Sequence, residues 1–286
     1  MATIGLVLHQ GRAEAVDTAR DVTAWLVGDG HHVHLPAPDA ALAQLDDHGV
    51  PEGDFARGLD VAVSLGGDGS MLRAVHLVAQ AGVAILGVNL GQLGYLTEIE
   101  PTGLHDALTR VLDGRYDVEE RMLLAVVVER ADASGPRAPM LALNDAVIGK
   151  TPTGHTVRVE VEIDGEPFTP YAADGVIVAT PTGSTAYNLS ARGPIVAPTH
   201  HALLLTPVSP HMLFDRSLVL EPTTRLRLTV GRPRPAMLSV DGRVLDDLQP
   251  GDTVVCTASD HRARLVTFGP RDFHQILKAK FRLSDR

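Results

Sequence analysis

The chain has 286 residues and carries 25 Lys and Arg against 35 Asp and Glu, a net charge of −10 that excludes a nucleic-acid binder built on clustered cations. Hydrophobic residues at 44% and charged residues at 21% are globular composition, while aromatics at 4% leave the core to Val, Leu and Ala. One cysteine, Cys256, excludes an intrachain disulfide and a cysteine-based zinc site, and with only three lysines (Lys150, Lys278, Lys280) any phosphate site must rely on backbone amides, arginines and a metal.

The N-terminal stretch alternates strand and helix signals. Thr3–Leu8 is a short apolar strand, with no basic stretch before it to make a secretory signal. Ala13–Leu26 places Val16, Ala19, Val22 and Leu26 at helical spacing, and His32–Leu35 and Val61–Leu65 read as further strands. Ser70 is the expected N-cap of a helix with Leu72, Val75 and Val78 on one face. Val83–Val88 reads as a buried strand and Leu104–Leu112 as an amphipathic helix. The uncharged run Leu77–Thr97 has the length of a membrane span, but Gln80, Asn89, Gln92 and four glycines break it into helix end, strand and turn. A cytoplasmic protein without membrane or nucleic-acid partners is expected.

After Tyr116 the pattern becomes β. Leu123–Val128 is strand-like, and Val157, Val159, Val161 and Ile163 alternate with Arg158, Glu160 and Glu162 before the hairpin signal Asp164-Gly165. Gly175–Ala179, Ala202–Thr206, Arg225–Val230, Ala236–Val240, Asp252–Thr257 and Arg264–Thr267 follow as strands, and Asp272–Phe281 returns to a helical pattern. The predicted architecture is an α/β domain with a parallel sheet and flanking helices over 1–119, to which 269–286 returns, and a mainly antiparallel, β-sandwich-like domain over 120–268.

Three segments carry chemistry. Ser64-Leu65-Gly66-Gly67-Asp68-Gly69-Ser70 joins a strand to a helix, where glycines let a backbone approach a phosphate and the helix start stabilises the anion. Asp68 either binds a metal or takes a proton there, or is a local turn hydrogen bonder. The loop fits neither G-x-G-x-x-G nor a P-loop. Gly149-Lys150-Thr151 imitates a P-loop end, but Asn144 replaces its first glycine and Pro152 opposes the helix. Asn144-Asp145 can bracket a ribose hydroxyl pair or form a turn. Asp174–Ser190 runs from a buried strand into a hydroxyl-rich turn and a helix starting near Ser184 or Thr185, which is either a structural loop or the mouth of a pocket with Tyr187 free to stack on a heteroaromatic ring. The histidines His31, His32, His34, His200, His201 and His211 lack the partners of a metal site and read as solvated or core residues.

Gly66–Gly69, Val88-Asn89-Leu90-Gly91-Gln92-Leu93-Gly94-Tyr95-Leu96, Asn144-Asp145, Asp174–Ser190, Gly193-Pro194-Ile195-Val196 and Leu205–His211 stand in the order and spacing of the NAD kinases, which the chain resembles from about residue 60 to 270. The resemblance implies phosphorylation of the 2′-hydroxyl of the adenosine ribose of NAD, with ATP or polyphosphate as donor and a divalent cation, most simply Mg²⁺, in a homodimer or homotetramer. It makes Asp68 the general base and Gly66, Gly67, Asp68, Gly69 and Arg73 the phosphate and ATP site, with no metal ligand among the side chains. It also makes Asp68, Gly69, Arg73, Asn144, Asp145, His155, Asp174, Thr185, Ala186, Tyr187, Asn188, Leu189, Ser190 and Arg243 the NAD site, with Asp174 reaching the other half of the dinucleotide across a subunit interface. His155 is either that family's cation or a surface histidine. Three positions depart from the family pattern: Ala172 stands where some members carry Arg, Arg192 interrupts a Gly-Gly-Pro motif, and Arg243 replaces a Gln.

Overall fold

The computed structural model describes residues 1–91, 94–132, 138–151, 155–270 and 272–283. The chain forms two compact units, one made of Met1–Glu120 with Arg262–Arg286 and the other of Arg121–His261.

The first unit opens with β1 (Thr3–Leu8), α1 (Ala13–Gly28), β2 (His32–Pro36), α2 (Ala37–Ala43) and β3 (Gly49–Val50). It continues with β4 (Val61–Gly66), α3 (Asp68–Val78), β5 (Ala84–Asn89) and α4 (Leu104–Leu112). Strands β5, β4, β1, β2 and β3 lie side by side in that order, all parallel. Ile4, Leu6, Leu8, Val61, Val63 and Leu65 are buried against Ala15, Ala19, Val22 and Leu26 of α1 and Leu104, Ala107, Leu108 and Val111 of α4. Strands this apolar require cover on both faces, which the helices supply. α2 was not legible in the sequence, because Pro36 and Pro38 read as turn residues; at a helix start their missing amides cost nothing. The expected N-cap is corrected: Ser70 lies inside α3, and the cap is Gly67, with no side chain bonding the free amides. Ser70 is instead buried under Gly66, where a Cβ would come closer than 3.0 Å to its hydroxyl.

The second unit comprises β6 (Asp117–Glu129, from Arg121 on), β7 (Met140–Ala142), β8 (Asp145–Lys150), β9 (Val157–Ile163), β10 (Glu166–Ala173) and β11 (Gly175–Ala179). A short helix α5 (Tyr187–Ser190) precedes β12 (Leu203–Val208), β13 (Leu218–Leu220), β14 (Leu226–Val230), β15 (Ala236–Val240), β16 (Arg243–Leu248) and β17 (Thr253–Thr267). One antiparallel sheet runs β13-β12-β11-β8-β15-β16; a second layer runs β10-β9-β14-β17, also antiparallel. Val157, Val159 and Val161, Leu226, Leu228 and Val230 face Ile148, Val176, Val178, Leu203, Leu205 and Leu238 in one core, the packing of a β-sandwich. Asp164 and Gly165 take φ of 53° and 90° in the hairpin turn, as Asp-Gly predicts. Pro167 and Pro170 hid β10 from the sequence reading; the strand tolerates them because it lies at the end of the β10-β9-β14-β17 run.

The expected strands Asp252–Thr257 and Arg264–Thr267 are halves of β17. Its end returns to the first unit, where Arg264 and Leu265 pair in parallel with Ala84 and Ile85 of β5. Helix α6 (Phe273–Phe281) follows in that unit, capped by the Asp272 carboxylate, which accepts from the amides of His274 and Gln275 at 3.0 and 3.1 Å. Among the described residues no helix is long and apolar enough to cross a membrane.

Candidate active site

In the first unit, β4 ends at Gly66 and α3 begins at Asp68, so the loop amides face outward at a helix start. A Cβ at Gly67 or Gly69 would meet no protein atom within 4 Å, so open space lies in front of both. The Asp68 carboxylate accepts from the amide of Tyr95 through both oxygens at 3.0 Å, and from that of Leu96 at 3.0 Å. Gly94 is required beside it: a Cβ there would come closer than 3.0 Å to Oδ1. This orients a carboxylate that is still 34% exposed. The motif 88–96 therefore holds Asp68, although its Gln92 and Leu93 lie outside the described residues.

Arg73, expected at a phosphate, is engaged elsewhere. Its Nη1 donates to both oxygens of Asp39 at 2.8 and 2.7 Å, and its Nη2 to Glu52 at 3.0 Å. Burial works against the guanidinium's charge, but the bonds and charges of Asp39 and Glu52 outweigh it and raise its pKa above the ordinary value. Asp39 is wholly buried and also accepts from the amide of Leu8 at 2.8 Å, so the pair ties α3 to β1 and α2.

Lys280 was legible only as a member of the C-terminal helix. Its Nζ lies 3.8 Å from Asp68 Oδ2 and 4.3 Å from the centroid of the Tyr95 ring.

In the second unit, Asn144 precedes β8 and Asp145 begins it, and Asp241 organises both. Its carboxylate accepts from the amides of Leu143 at 2.8 Å, Asn144 at 2.7 Å and Asp145 at 3.1 Å, while its own amide donates to the Asp145 carbonyl at 2.9 Å. Asp241 and Gly242, at φ of 48° and 76°, turn β15 into β16. The Asp-Gly pair signals that turn, but nothing local in the sequence signals the strand end that Asp241 caps. Asp145 is buried, and no described donor reaches its carboxyl. Burial first, then the charge of Asp241, pushes its pKa from 3.8 up to about 7.

The 180–190 segment docks on this corner. Thr180 donates from Oγ1 to the Leu143 carbonyl at 2.5 Å and from its amide to the Asn144 carbonyl at 2.9 Å. A Cβ at Gly183 would collide with the Asn144 backbone. The expected helix start near Ser184 or Thr185 is corrected: Thr182–Thr185 is a 3₁₀ turn, and Ala186, at φ −96° and ψ −129°, separates it from α5 at Tyr187. Thr185 and Ala186 are half-buried, Leu189 likewise, and Tyr187 and Ser190 are exposed. Asn188 is fully buried, bonding the carbonyls of Ser184 and Pro194 and accepting from Thr206, so it holds the loop rather than facing outward. Tyr187, Ser190 and Arg192 line a pocket of about 590 Å³ with Pro207, Ser209 and Arg216. Arg192, exposed and at the left-handed φ of 64°, is part of that pocket's wall.

Three further candidates remain. Asp174 pairs with Lys150 at 2.8 Å, beyond the Gly149–Gly175 end of the β8–β11 pair, whereas Asp145 pairs with Ala179 at the other end. At the rise of a strand the two aspartates are roughly 16 Å apart. His155 is exposed with no described partner, and Arg243 is exposed at the start of β16. Gly149 and Lys150 end β8 as strand residues, which disposes of the P-loop imitation; Pro152 lies outside the described residues. Among the described residues no group of three or more His, Cys, Asp or Glu could hold a metal ion.

Residues 4–116 match the family model described as the ATP-NAD kinase N-terminal domain, and residues 143–268 match that of the ATP-NAD kinase C-terminal domain. The chain belongs to the NAD kinase family. It is 42% identical to the NAD kinase of Heliobacterium modesticaldum over 282 residues, 98% of each chain. The NAD kinase of Moorella thermoacetica is 40% identical over 285 residues, 99% of this chain and 90% of that one. Among solved structures, the yeast NADH kinase complexed with NADH superposes with a TM-score of 0.91 at 26% identity, covering 100% of this chain and 89% of that one. A NAD kinase from Archaeoglobus fulgidus superposes at 0.74 with 21% identity over 99% and 100% of the two chains, sharing the fold. The parallel α/β unit and the antiparallel β unit are therefore the architecture of the NAD kinase family.

Proposed function

We propose that the chain transfers the γ-phosphoryl group of ATP to the 2′-hydroxyl of the adenosine ribose of NAD, giving NADP and ADP, with Asp68 as general base. Family membership supports the reaction. The observation that supports the base is a carboxylate at a helix start, oriented by two backbone amides and accessible from outside. In the transfer the ribose oxygen forms a bond to the γ-phosphorus, the bond from that phosphorus to the β-bridging oxygen breaks, and the hydroxyl proton passes to Asp68. The amides at the start of α3 stabilise the phosphate charge. A divalent cation such as Mg²⁺, brought in with ATP, would offset the charge of the phosphates when bound, alongside the amides at the start of α3.

On this reading Asn144 and Asp145 hold the ribose hydroxyls, and Thr185, Ala186, Tyr187 and Ser190 line the dinucleotide pocket. Asn188 and Leu189 support that wall. Arg243 and His155 approach from the rim, and Arg73 positions α3. Asp174, remote from Asp145 in one copy, serves the dinucleotide held by a second copy, which makes the working protein a homodimer or homotetramer. A cytoplasmic setting, where both substrates occur, completes the proposal.

The test is NADP formation from NAD and Mg²⁺ with ATP, or polyphosphate as a second donor, read through an NADP-specific dehydrogenase. Wild-type protein should make NADP, and Asp68→Asn should lose about 10²-fold or more in turnover while binding NAD as before. An active Asp68→Asn enzyme refutes the base, and no product from wild type with either donor refutes the reaction.

A further inference from the structure

We propose that Lys280 is the cation that receives the transferring phosphoryl group at the Asp68 loop; this rests on the kinase reading of that loop. Phosphoryl transfer concentrates negative charge on the oxygens of the moving group, and enzymes meet it with a positioned cation. The residue that the sequence nominates for that task, Arg73, is bonded to both oxygens of a fully buried carboxylate and to Glu52. Drawing it to a phosphate would strand the Asp39 charge in the protein interior, which is unfavourable. Arg12 donates to the Leu90 carbonyl, and Lys150 pairs with Asp174 in the other unit.

Lys280 differs from these in geometry. It stands in the last turn of α6, where the helix dipole favours a cation. Its ammonium lies over the ring of Tyr95, the same residue whose amide orients Asp68. The separation of 3.8 Å from Asp68 Oδ2 is too long for a hydrogen bond, so the ammonium is drawn to the site without being locked onto the carboxylate. The side chain is 27% exposed, leaving its head accessible to an incoming oxygen. A lysine combines a flexible stem with three donors around a compact charge, which suits following a phosphate as it moves. With ATP and NAD in place, Asp68 takes the hydroxyl proton. Lys280 donates a hydrogen bond to a non-bridging oxygen of the γ-phosphoryl group, so it adds charge stabilisation and changes no bond.

The experiment compares wild type, Lys280→Met and Lys280→Arg in the NADP assay and by calorimetry with inorganic tripolyphosphate and, separately, NAD. The proposal expects Lys280→Met to lose at least about tenfold in kcat and about tenfold in tripolyphosphate affinity, with NAD affinity within twofold of wild type and partial recovery of both losses in Lys280→Arg. Wild-type kcat and tripolyphosphate affinity in Lys280→Met overturn it. A fall in kcat with tripolyphosphate affinity unchanged and no rescue by Arg also overturns it, since Lys280 would then only brace Asp68 and Tyr95. If wild type makes no NADP at all, the kinase reading fails, while the tripolyphosphate titration still decides whether Lys280 meets phosphate.

Discussion

Replacing Asp145 by Asn removes the ionisation that the folded protein resists most clearly. The carboxyl is 4% exposed, no described donor bonds it, and the carboxylate of Asp241 beside it is already satisfied by three backbone amides. Its pKa of about 7, against 3.8 unperturbed, corresponds to about 4 kcal/mol at roughly 1.4 kcal/mol per pH unit. Below pH 3.8 the folded and unfolded chains both hold the proton and no penalty exists. Between 3.8 and about 7 the folded chain keeps a proton that the unfolded chain releases, so stability falls as pH rises; above 7 the whole penalty applies. From pH 5 to pH 8.5 wild type should therefore lose about 3 kcal/mol that Asp145→Asn does not lose. Urea unfolding followed by far-ultraviolet circular dichroism at those two pH values measures the difference, and carboxyl carbon NMR reads the titration directly. Parallel pH dependence in the two proteins would refute the buried, donor-free carboxyl.

Gly183→Ala drives a methyl group into the Asn144 backbone, which should cost about 1–3 kcal/mol of stability and raise the KM for NAD more than it lowers kcat; an unchanged KM would separate the 180–190 segment from the Asn144 corner. Gly94→Ala pushes on Asp68 Oδ1 and should lower kcat while NAD affinity holds, so a fully active variant would show that the carboxylate needs no fixed orientation. Arg73→Ala leaves Asp39 buried without its partner and should cost about 3–5 kcal/mol in unfolding free energy; a change below about 1 kcal/mol would mean that Asp39 finds another donor.

What could be read in the sequence is what short-range patterning records. Val157 to Ile163 announces an alternating strand and Asp164-Gly165 its turn, while the apolar runs of β1, β4 and β5 announce a covered parallel sheet. The Asp68 loop was legible because strand, glycines and helix are contiguous. Where local pattern says little, a distant partner decides the geometry. Arg73 looks like a phosphate cation, yet Asp39, 34 residues upstream, accepts from its Nη1 through both oxygens while Glu52 accepts from Nη2. Asp241 is one residue of a hairpin turn until the chain brings three amides from 96 to 98 residues away onto its carboxylate. Asn188 looks like a pocket residue by its place in the motif, yet its amide is consumed by Ser184, Pro194 and Thr206. Hydrogen bonds of this range leave no periodic trace.

The first unit is assembled from two stretches of chain separated by the whole of the second. During synthesis, β4, Asp68 and α3 leave the ribosome long before the segment that pairs with β5 and before the helix that brings Lys280 to them. An unfinished chain thus exposes a parallel sheet lacking its last neighbour on the β5 side, together with an Asp68 loop that Lys280 has not yet reached. The order of manufacture itself delays the completed loop until the β unit has been made, and folding intermediates of this protein are expected to stay catalytically silent however native the N-terminal strands become.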